Sequence, residues 1–281
     1  MNIPPLSRTA MTKRFAVVGD PVAHSLSPLI HTGWLETLGL DAHYGRVHLR
    51  SEDAAEDIRA MAHDFAGLNV TLPHKIAALV ASAKVDGLAR LVGAANTLVN
   101  EAGQWTAYNT DVAGFAAAVR AAVGELGAGS RVILIGAGGA ARAAVVSLHQ
   151  AGAKIMILNR SVANAETLAS ELAPGAQTDS LESLTRHAES ADLIVNSASL
   201  GHSGAGLPAL PKGAGRAFLD LSYGKAADAV LRPAADAGWT PHDGLTMLVA
   251  QAAAAFRLWF GIDPDQAEAL AACRKSVAAR T

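Results

Sequence analysis

The sequence predicts an α/β protein of two domains, and three observations favour this fold class. Short apolar runs typical of buried strands alternate with segments of helical periodicity in the N-terminal part of the chain. A hairpin-like region and a glycine-rich stretch at 124–129 then interrupt the alternation. A second series of strands and helices begins at Arg131. Repeated alternation of this kind is typical of mainly parallel sheets with helices packed on their faces.

The first series contains three predicted strands and three predicted helices. The strands lie at 15–18, 44–49 and 68–71, and the helices lie at 28–38, at 51–61 and from Pro73 onward. Pro28 suits the first position of a helix, and Ser27 before it suits an N-cap. Glu52 and Asp53 favour a helix start nearby, because carboxylates interact well with the positive end of the helix dipole.

The hairpin and the second series follow from the same patterns. Strand-like runs at 97–100 and 105–108 flank a short polar turn, which predicts a β-hairpin. Further strands are predicted at 132–135, 154–158, 193–195 and 218–221, and further helices at 112–123, 139–150, 163–172, 245–260 and 264–279. The two series therefore meet at a seam that runs from about Asp111 to Gly129.

Composition excludes several classes of protein. Hydrophobic residues make up 51% of the 281 residues, which is enough apolar material for a sizeable core. The chain has 23 basic and 25 acidic residues, so its charge gives no reason to expect nucleic acid or an anionic membrane as a partner. Cys273 is the single cysteine, and no Cys/His cluster has the spacing of a zinc site. We therefore expect no disulfide and no metal.

The start of the chain lacks the features of a secreted or membrane protein. Residues 1–12 contain two prolines and no apolar run of the kind found in signal peptides. No segment approaches the roughly 18 consecutive apolar residues of a membrane span. We therefore expect a cytoplasmic protein, with either Met1 or Met11 as its first residue.

A glycine fingerprint follows the first strand of the second series. The pattern G-x-G-x-x-A is formed by Gly136, Ala137, Gly138, Gly139, Ala140 and Ala141. Gly136 permits a tight turn, Gly138 leaves room for a pyrophosphate, and Ala141 lets the following helix pack closely on the strand. The N-terminus of that helix offers free N–H groups to phosphates. The second domain is therefore predicted to be a Rossmann-type dinucleotide-binding domain, although a glycine-rich turn alone would be a weak signal.

The end of the next strand indicates which dinucleotide is bound. Asn159, Arg160 and Ser161 stand where an NAD-preferring site usually places a carboxylate for the ribose 2′-hydroxyl. A guanidinium at that place suits a 2′-phosphate. The sequence therefore favours NADP, with NAD possible, and the alternative for Arg160 is an ordinary solvated arginine.

Polar residues also follow the strands of the first series, and each cluster has a structural alternative. Ser25 and Ser27 could hold a carboxylate at a helix N-terminus, or Ser27 could be only an N-cap. Lys75 falls in the first turn of a helix, where a cation is disfavoured by the dipole, and it is a candidate for proton transfer or a surface lysine. Asp111 is likewise either an N-cap or the partner of Lys75 in the reduction of a carbonyl group.

Taken together and in this order, these motifs resemble the shikimate dehydrogenase family. The matching segments are His24-Ser25-Leu26-Ser27-Pro28, Asn69-Val70-Thr71 with Pro73 and Lys75, Asn96-Thr97, Asn109-Thr110-Asp111, the loop Gly136 to Arg142, Asn159-Arg160-Ser161, Asp243-Gly244 and Met247-Leu248-Val249-Ala250-Gln251. They extend from about Phe15 to Phe260, which is nearly the whole chain. The resemblance implies reversible NADPH-dependent reduction of 3-dehydroshikimate to shikimate, in the biosynthesis of chorismate and aromatic amino acids.

The resemblance also implies a role for each of these positions. Lys75 would be the acid/base residue, and Asp111 its partner. Substrate would be bound by Ser25, Ser27, Asn69, Thr71, Asn96, Tyr223 and Gln251, and cofactor by Gly136 to Ala140, Asn159, Arg160, Ser161 and Gly244. An N-terminal mixed α/β substrate domain would comprise 12–111 plus 243–281, and the Rossmann domain 112–242. The protein would be a monomer or a homodimer.

Three departures from the family pattern leave alternatives open. Asn164 stands where NADP-specific members often have a second arginine, so cofactor use could be relaxed. The proline usual after Tyr223 is absent, and His202 replaces a common methionine, where an ordinary core or surface histidine is the default interpretation. The alternatives are a dehydrogenase that also oxidises quinate and, remotely, a catalytically silent nucleotide-binding protein. The presence of both Lys75 and Asp111 argues against the silent protein.

Overall fold

A computed structural model of the chain describes residues 12–198, 200 and 207–280. The predictions on the first residue of the chain and on His202 therefore fall outside the described residues. Within them, the strands form two sheets of six strands each. No helix of the described part is long and apolar enough to cross a membrane.

The first sheet is mixed. Its strands are β1 Lys13–Gly19, β2 Ala42–His48, β3 Gly67–Val70, β4 Lys84–Val85, β5 Thr97–Glu101 and β6 Gln104–Tyr108, in the order β2-β1-β3-β5-β6-β4. β1 lies parallel to β2 and β3, whereas β5 is antiparallel to both β3 and β6. The predicted hairpin of β5 and β6 is confirmed. It turns at Ala102 and Gly103, whose φ angles of 53° and 83° suit the tight turns that join antiparallel strands.

The second sheet is entirely parallel. Its strands are β7 Arg131–Ile135, β8 Lys154–Asn159, β9 Gln177–Ser180, β10 Leu193–Asn196, β11 Ala217–Asp220 and β12 Thr240–His242, in the order β12-β11-β10-β7-β8-β9. This is the strand order of the doubly wound Rossmann fold, whose order reverses beside its first strand. The predicted fold class is therefore confirmed.

Helices cover both faces of each sheet. They are α1 Ser27–Thr37, α2 Ala54–Ala60, α3 Lys75–Ala81, α4 Gly87–Val92, α5 Asp111–Val123, α6 Gly139–Gln150, α7 Val162–Leu172, α8 Leu184–Ala188, α9 Lys225–Asp236, α10 Leu245–Phe260 and α11 Gln266–Ala278. Short 3₁₀ turns follow α2 and precede α8. Because side chains alternate along a strand, Phe15 and Val17 of β1 join one core while Ala16 and Val18 join another.

The C-terminal helices return to the first sheet. Phe256 of α10 and Cys273 of α11 lie in the same buried cluster as Phe15 of β1. The pairs Phe15–Phe260 and Phe256–Phe260 bring aromatic ring centroids to 5.0 and 4.5 Å. The two ends of the chain therefore share one core, while the exact boundaries between the domains stay a prediction.

Several predicted helix starts differ from the structure by one to three residues, and two of these differences involve a serine. α1 begins at Ser27 itself, and its N-cap is Leu26 without a side-chain hydrogen bond, so Ser27 is not an N-cap. The second helix begins at Ala54 rather than at Ser51. The Ser51 hydroxyl instead accepts a hydrogen bond from the backbone N–H of Asp53 at 3.0 Å, which forms a local turn ahead of the helix.

Candidate active site

Lys75 and Asp111 form an ion pair where the two domains meet. Lys75 is the first residue of α3 and follows β3, and Asp111 is the first residue of α5 and follows β6. The Lys75 ammonium donates to Asp111 Oδ2 at 2.6 Å, and the two side chains are only 14% and 7% exposed. The N-cap of α5 is Thr110, so the alternative role of Asp111 as an N-cap is wrong. Its carboxylate instead holds the lysine.

Asn96 orders the residues around this pair. Its amide Nδ2 donates to Asp111 Oδ1 at 2.8 Å and lies 3.3 Å from the side-chain oxygen of Gln251. Its Oδ1 accepts from the backbone N–H of Thr110 at 2.7 Å. Because Asn96 is only 3% exposed and both ends of its amide are engaged, it fixes the Asp111 carboxylate in one orientation.

Gln251 reaches the site because two helices pack very closely. A Cβ atom added to Gly114 of α5 would lie 2.8 Å from the Gln251 Cβ and 2.8 Å from the Met247 carbonyl oxygen of α10. Only glycine tolerates that separation. The Gln251 amide nitrogen also donates to the Leu248 carbonyl at 2.8 Å, which leaves its oxygen directed at Asn96.

Replacing Gly114 by alanine should therefore lower the free energy of unfolding by about 1–3 kcal/mol, because the added methyl group overpacks the contact between α5 and α10. Gly33→Ala is the matched control. Gly33 also lies within a helix, but a Cβ there has no neighbour within 4 Å. That control should gain about 0.5–1 kcal/mol from helix propensity. Urea unfolding followed by circular dichroism measures both, and equal shifts of the same sign would contradict the close approach at Gly114.

Ser25 and Ser27 lie together at the start of α1. The Ser25 hydroxyl donates to the Ser27 hydroxyl across 3.2 Å, as expected from their spacing. Arg46 of β2 holds this loop by donating to the Ser25 carbonyl oxygen at 2.8 Å. Tyr223 is half-buried beside Leu26, and burial raises the pKa of its phenol. The cluster thus offers two hydroxyls and a neutral phenol, with a guanidinium behind them.

Asn69 links this cluster to the Lys75–Asp111 pair. Its amide nitrogen lies 3.2 Å from the Thr97 hydroxyl, which in turn donates to Asn96 Oδ1 at 3.2 Å. Thr71, two residues after Asn69, is half-buried at the end of β3, and its backbone N–H donates to the Val18 carbonyl at 2.8 Å. Five of the predicted polar residues therefore lie in one hydrogen-bonded network: Asn69, Lys75, Asn96, Asp111 and Gln251.

The glycine fingerprint adjoins the ion pair. Gly136 has a φ of 108°, and a Cβ there would lie 2.8 Å from the Ser197 hydroxyl oxygen. Gly138 caps α6, and a Cβ there would meet nothing within 4 Å, so open space faces the helix N-terminus. A Cβ on Gly139 would lie 4.0 Å from Lys75 Cδ. A dinucleotide held by this loop would therefore lie next to Lys75.

The residues predicted for the 2′-phosphate lie at the end of β8. The Asn159 amide donates to the Ser161 carbonyl at 3.0 Å, which orders the turn into α7. Arg160 is exposed, and Asn164 is exposed in the first turn of α7. The arrangement leaves the Arg160 guanidinium open to solvent, where an anion can approach it.

Gly244, which was predicted from the sequence as a cofactor residue, also has a packing role. A Cβ there would overlap the Leu221 carbonyl oxygen, and the Gly244 backbone N–H donates to the Ser222 carbonyl at 2.8 Å. Glycine is required because the turn before α10 passes against the end of β11. Contact of Gly244 with a cofactor stays a prediction.

Several residues of this region were given no role from the sequence. They are Tyr44, Arg46, Thr97, Thr110 and Gly114. Tyr44 and Arg46 stand two apart on β2, so they point to the same side of the sheet. Thr97 and Thr110 belong to the matching motifs Asn96-Thr97 and Asn109-Thr110-Asp111, in which only Asn96 and Asp111 were assigned to the site. The role of Gly114 depends on the distance between two helices, which the sequence does not contain.

Models of three families match the chain. The shikimate dehydrogenase substrate binding domain matches residues 17–98, shikimate / quinate 5-dehydrogenase matches 119–203, and the shikimate 5′-dehydrogenase C-terminal domain matches 244–274. These segments contain most of the residues described above, with Asn96 in the first and the glycine fingerprint in the second.

Individual relatives are similar over nearly the whole chain. Shikimate dehydrogenase (NADP(+)) of Hyphomonas neptunium is 48% identical over 96% of this chain and 99% of its own length. The structure of shikimate 5-dehydrogenase from Thermus thermophilus in complex with NADP(H) and shikimate is 37% identical, with a TM-score of 0.82 over 94% of this chain and 99% of that chain. Shikimate 5-dehydrogenase from Listeria monocytogenes, in complex with shikimate and NAD, is 26% identical with a TM-score of 0.78, over 93% of this chain and 96% of that chain.

Proposed function

The chain belongs to the shikimate dehydrogenase family, and from that premise we propose that it catalyses the reversible reduction of 3-dehydroshikimate to shikimate. It is an oxidoreductase that acts on a CH–OH group, and its cofactor is NADP. One observation supports the proposal above the others. A nearly buried Lys75–Asp111 pair, with 2.6 Å between Nζ and Oδ2, lies beside the glycine loop that suits a dinucleotide.

The proton of the reaction is assigned to Lys75. In the direction of reduction, its ammonium donates a proton to the carbonyl oxygen as that oxygen becomes an alkoxide, and in the reverse direction the neutral amine takes the proton back. Asp111 holds the amine in place through the ion pair of 2.6 Å. Asn96 keeps the carboxylate from rotating, because it donates to Oδ1 while Lys75 donates to Oδ2.

The glycine loop and the end of β8 fit the cofactor. The open space at Gly138 and the free N–H groups of the α6 N-terminus suit a pyrophosphate, and Arg160 suits the 2′-phosphate of NADP. When bound, NADPH supplies the hydride. A Cβ atom added to Gly139 would lie 4.0 Å from Lys75 Cδ, so a cofactor held by the glycine loop would lie close to the proton donor.

The substrate carboxylate is assigned to the cluster of Ser25 and Ser27, with Tyr223 beside it. Both hydroxyls can donate to carboxylate oxygens, and the phenol can donate a third hydrogen bond. Arg46 places a positive charge behind the loop that carries Ser25. The ring hydroxyls and the reacting oxygen are assigned to Asn69, Thr71, Asn96 and Gln251, in addition to the ion pair. We assign the protein to the cytoplasm as a monomer or a homodimer.

A four-way steady-state assay tests this function. Shikimate or quinate is combined with NADP or NAD, and the absorbance of the reduced cofactor is followed. We expect kcat/KM to be far higher for shikimate with NADP than for any other combination. Comparable rates with quinate would indicate that the carboxylate cluster accommodates the additional tertiary hydroxyl of that substrate. No turnover in any combination would contradict the proposal and indicate a silent member of the family.

A further inference from the structure

A chain of hydrogen bonds continues from the Lys75–Asp111 pair to strand β2. It passes from Asp111 through Asn96 and Thr97 to Asn69, and it ends at the hydroxyl of Tyr44, which donates to Asn69 Oδ1 at 2.6 Å. This last bond is short, and both of its residues are nearly inaccessible, with exposures of 4% for Tyr44 and 5% for Asn69. Tyr44 therefore determines how one end of the network is oriented.

Tyr44 is itself held firmly in place. Its ring stacks on His31 of α1, with the ring centroids 4.3 Å apart and the planes at 11°. His31 is 1% exposed, and its two ring nitrogens have no hydrogen-bond partner in the described part of the chain. Burial lowers the pKa of His31 to about 3, so its ring is neutral near pH 7 and packs as a flat apolar surface. Trp34 and Trp259 enclose the same histidine, at centroid distances of 5.5 and 5.2 Å.

The Tyr44 hydroxyl adjoins both groups of residues that are assigned to the substrate. It donates to Asn69. The Ser27 side chain is also near enough to oppose the strong rise that burial causes in the pKa of Tyr44. Tyr44 thus connects the carboxylate cluster at the start of α1 with the amide at the end of β3, although these segments are far apart in the sequence.

The bond from Tyr44 decides which atom of the Asn69 amide faces which neighbour. An amide has an accepting oxygen at one end and a donating nitrogen at the other, and the two are similar in size. With the oxygen bound to Tyr44, the nitrogen lies against the Thr97 hydroxyl and the Asn96 carbonyl, at 3.2 and 3.4 Å. Without the Tyr44 hydroxyl, the oxygen would be buried and unsatisfied, and the amide could rotate.

We propose that Tyr44 is a positioning residue for substrate binding, which acts by fixing the Asn69 amide. The inference rests on the proposed function, because it requires that Asn69 bind shikimate. It assigns Tyr44 no contact with the reacting atoms and no proton transfer.

Tyr44→Phe is the direct test, because phenylalanine keeps the stacked ring and removes only the hydroxyl. We expect the KM for shikimate to rise about tenfold, the size of effect that one unsatisfied buried acceptor can produce. We expect kcat and the KM for NADP to change less than about threefold, since the Lys75–Asp111 pair and the nucleotide loop are untouched. Tyr108→Phe is the matched control, because no hydrogen bond of the Tyr108 hydroxyl is found among the described residues, and it should leave all three constants unchanged.

A double-mutant cycle with Asn69→Ala shows whether Tyr44 acts through Asn69. In the Asn69→Ala background, Tyr44→Phe should raise the KM for shikimate much less than it does in the wild-type protein, because the amide that Tyr44 orients is absent. A merely structural role would instead lower the melting temperature equally in both backgrounds and leave the KM for shikimate unchanged.

The outcomes separate this inference from the proposed function. If the wild-type protein oxidises shikimate and folded Tyr44→Phe has the wild-type KM, the role of Tyr44 is refuted and the function stands. A full effect of Tyr44→Phe in the Asn69→Ala background also refutes the role, because Tyr44 then acts by another route. If the wild-type protein neither turns over nor binds shikimate in a calorimetric titration, the proposed function fails and the role of Tyr44 fails with it.

Discussion

Replacing Lys75 by alanine should lower kcat for shikimate oxidation by about 10²–10⁴-fold, the range found when a positioned acid/base group is removed. The geometry explains why the effect should be large. The Lys75 ammonium pairs with the buried Asp111 carboxylate at 2.6 Å. Lys75 also lies beside the glycine loop, because a Cβ atom added to Gly139 would be 4.0 Å from Lys75 Cδ. Without the amine, the group that is assigned to accept the hydroxyl proton of shikimate is missing.

The KM for shikimate should change little in the same variant, because the carboxylate and ring hydroxyls are assigned to other residues. A large fall in kcat with a nearly constant KM indicates an interaction that matters mainly in the transition state. Steady-state kinetics at saturating NADP measures both constants. Circular dichroism is needed beside it, because Asp111 is left buried without its cation.

Lys84→Ala is the matched control for this variant. Lys84 also pairs with a carboxylate, Glu101, at 2.9 Å, but its side chain is 70% exposed. Pairs of this exposure contribute little to stability, so the control should keep its activity and its fold. Wild-type turnover in a folded Lys75→Ala protein would remove Lys75 from the mechanism.

Elements with a strong apolar period could be predicted from the sequence, and short or edge elements could not. β1 and β7 are runs of apolar residues buried on both faces, and the structure places them within one or two residues of their predicted bounds. β4 has two residues and β12 has three, which is too short for any periodicity to be visible. α9 has a clear apolar side, but Pro233 lies inside it, and proline is usually a signal against a helix interior.

The candidate site could be predicted where its residues stand at the ends of strands. Lys75 and Asp111 follow strands of the first sheet, and Asn69 is the last residue but one of β3. The ends of strands are where α/β sheets place ligands. Residues within a strand carry no such signal. Tyr44 looks like any aromatic residue of an edge strand in the sequence, and only the 2.6 Å contact with Asn69 distinguishes it.

Distances between segments also lay outside the reach of the sequence. Gln251 stands 155 residues from Asn96 in the chain, and the contact between them depends on the absence of a side chain at Gly114. The resemblance to a family assigned Gln251 to the site, whereas the residue pattern of its helix predicts only an amphipathic core helix. The close packing of α5 and α10 at Gly114 is the physical reason why Gln251 reaches the site.

Replacing Arg160 by alanine should raise the KM for NADP by about 10–100-fold and leave the KM for NAD within about twofold. A charge-assisted hydrogen bond from a guanidinium to a phosphate is among the stronger polar interactions. NAD has no 2′-phosphate, so its binding does not depend on this hydrogen bond. The exposure of Arg160 favours the lower end of this range, because solvent weakens the interaction. Initial rates at saturating shikimate, with each cofactor varied in turn, give both constants.

Two further variants show whether the charge at Arg160 is the cause. Arg232→Ala removes another surface arginine, whose side chain is 77% exposed and pairs with Asp228 on α9. This control should change neither the KM for NADP nor the KM for NAD. Asn164→Arg adds a guanidinium in the first turn of α7, close in the sequence to Arg160, and should lower the KM for NADP but not for NAD. If Arg160→Ala raised both constants equally, Arg160 would not recognise the 2′-phosphate. The preference for NADP would then have to arise from other residues around the end of β8.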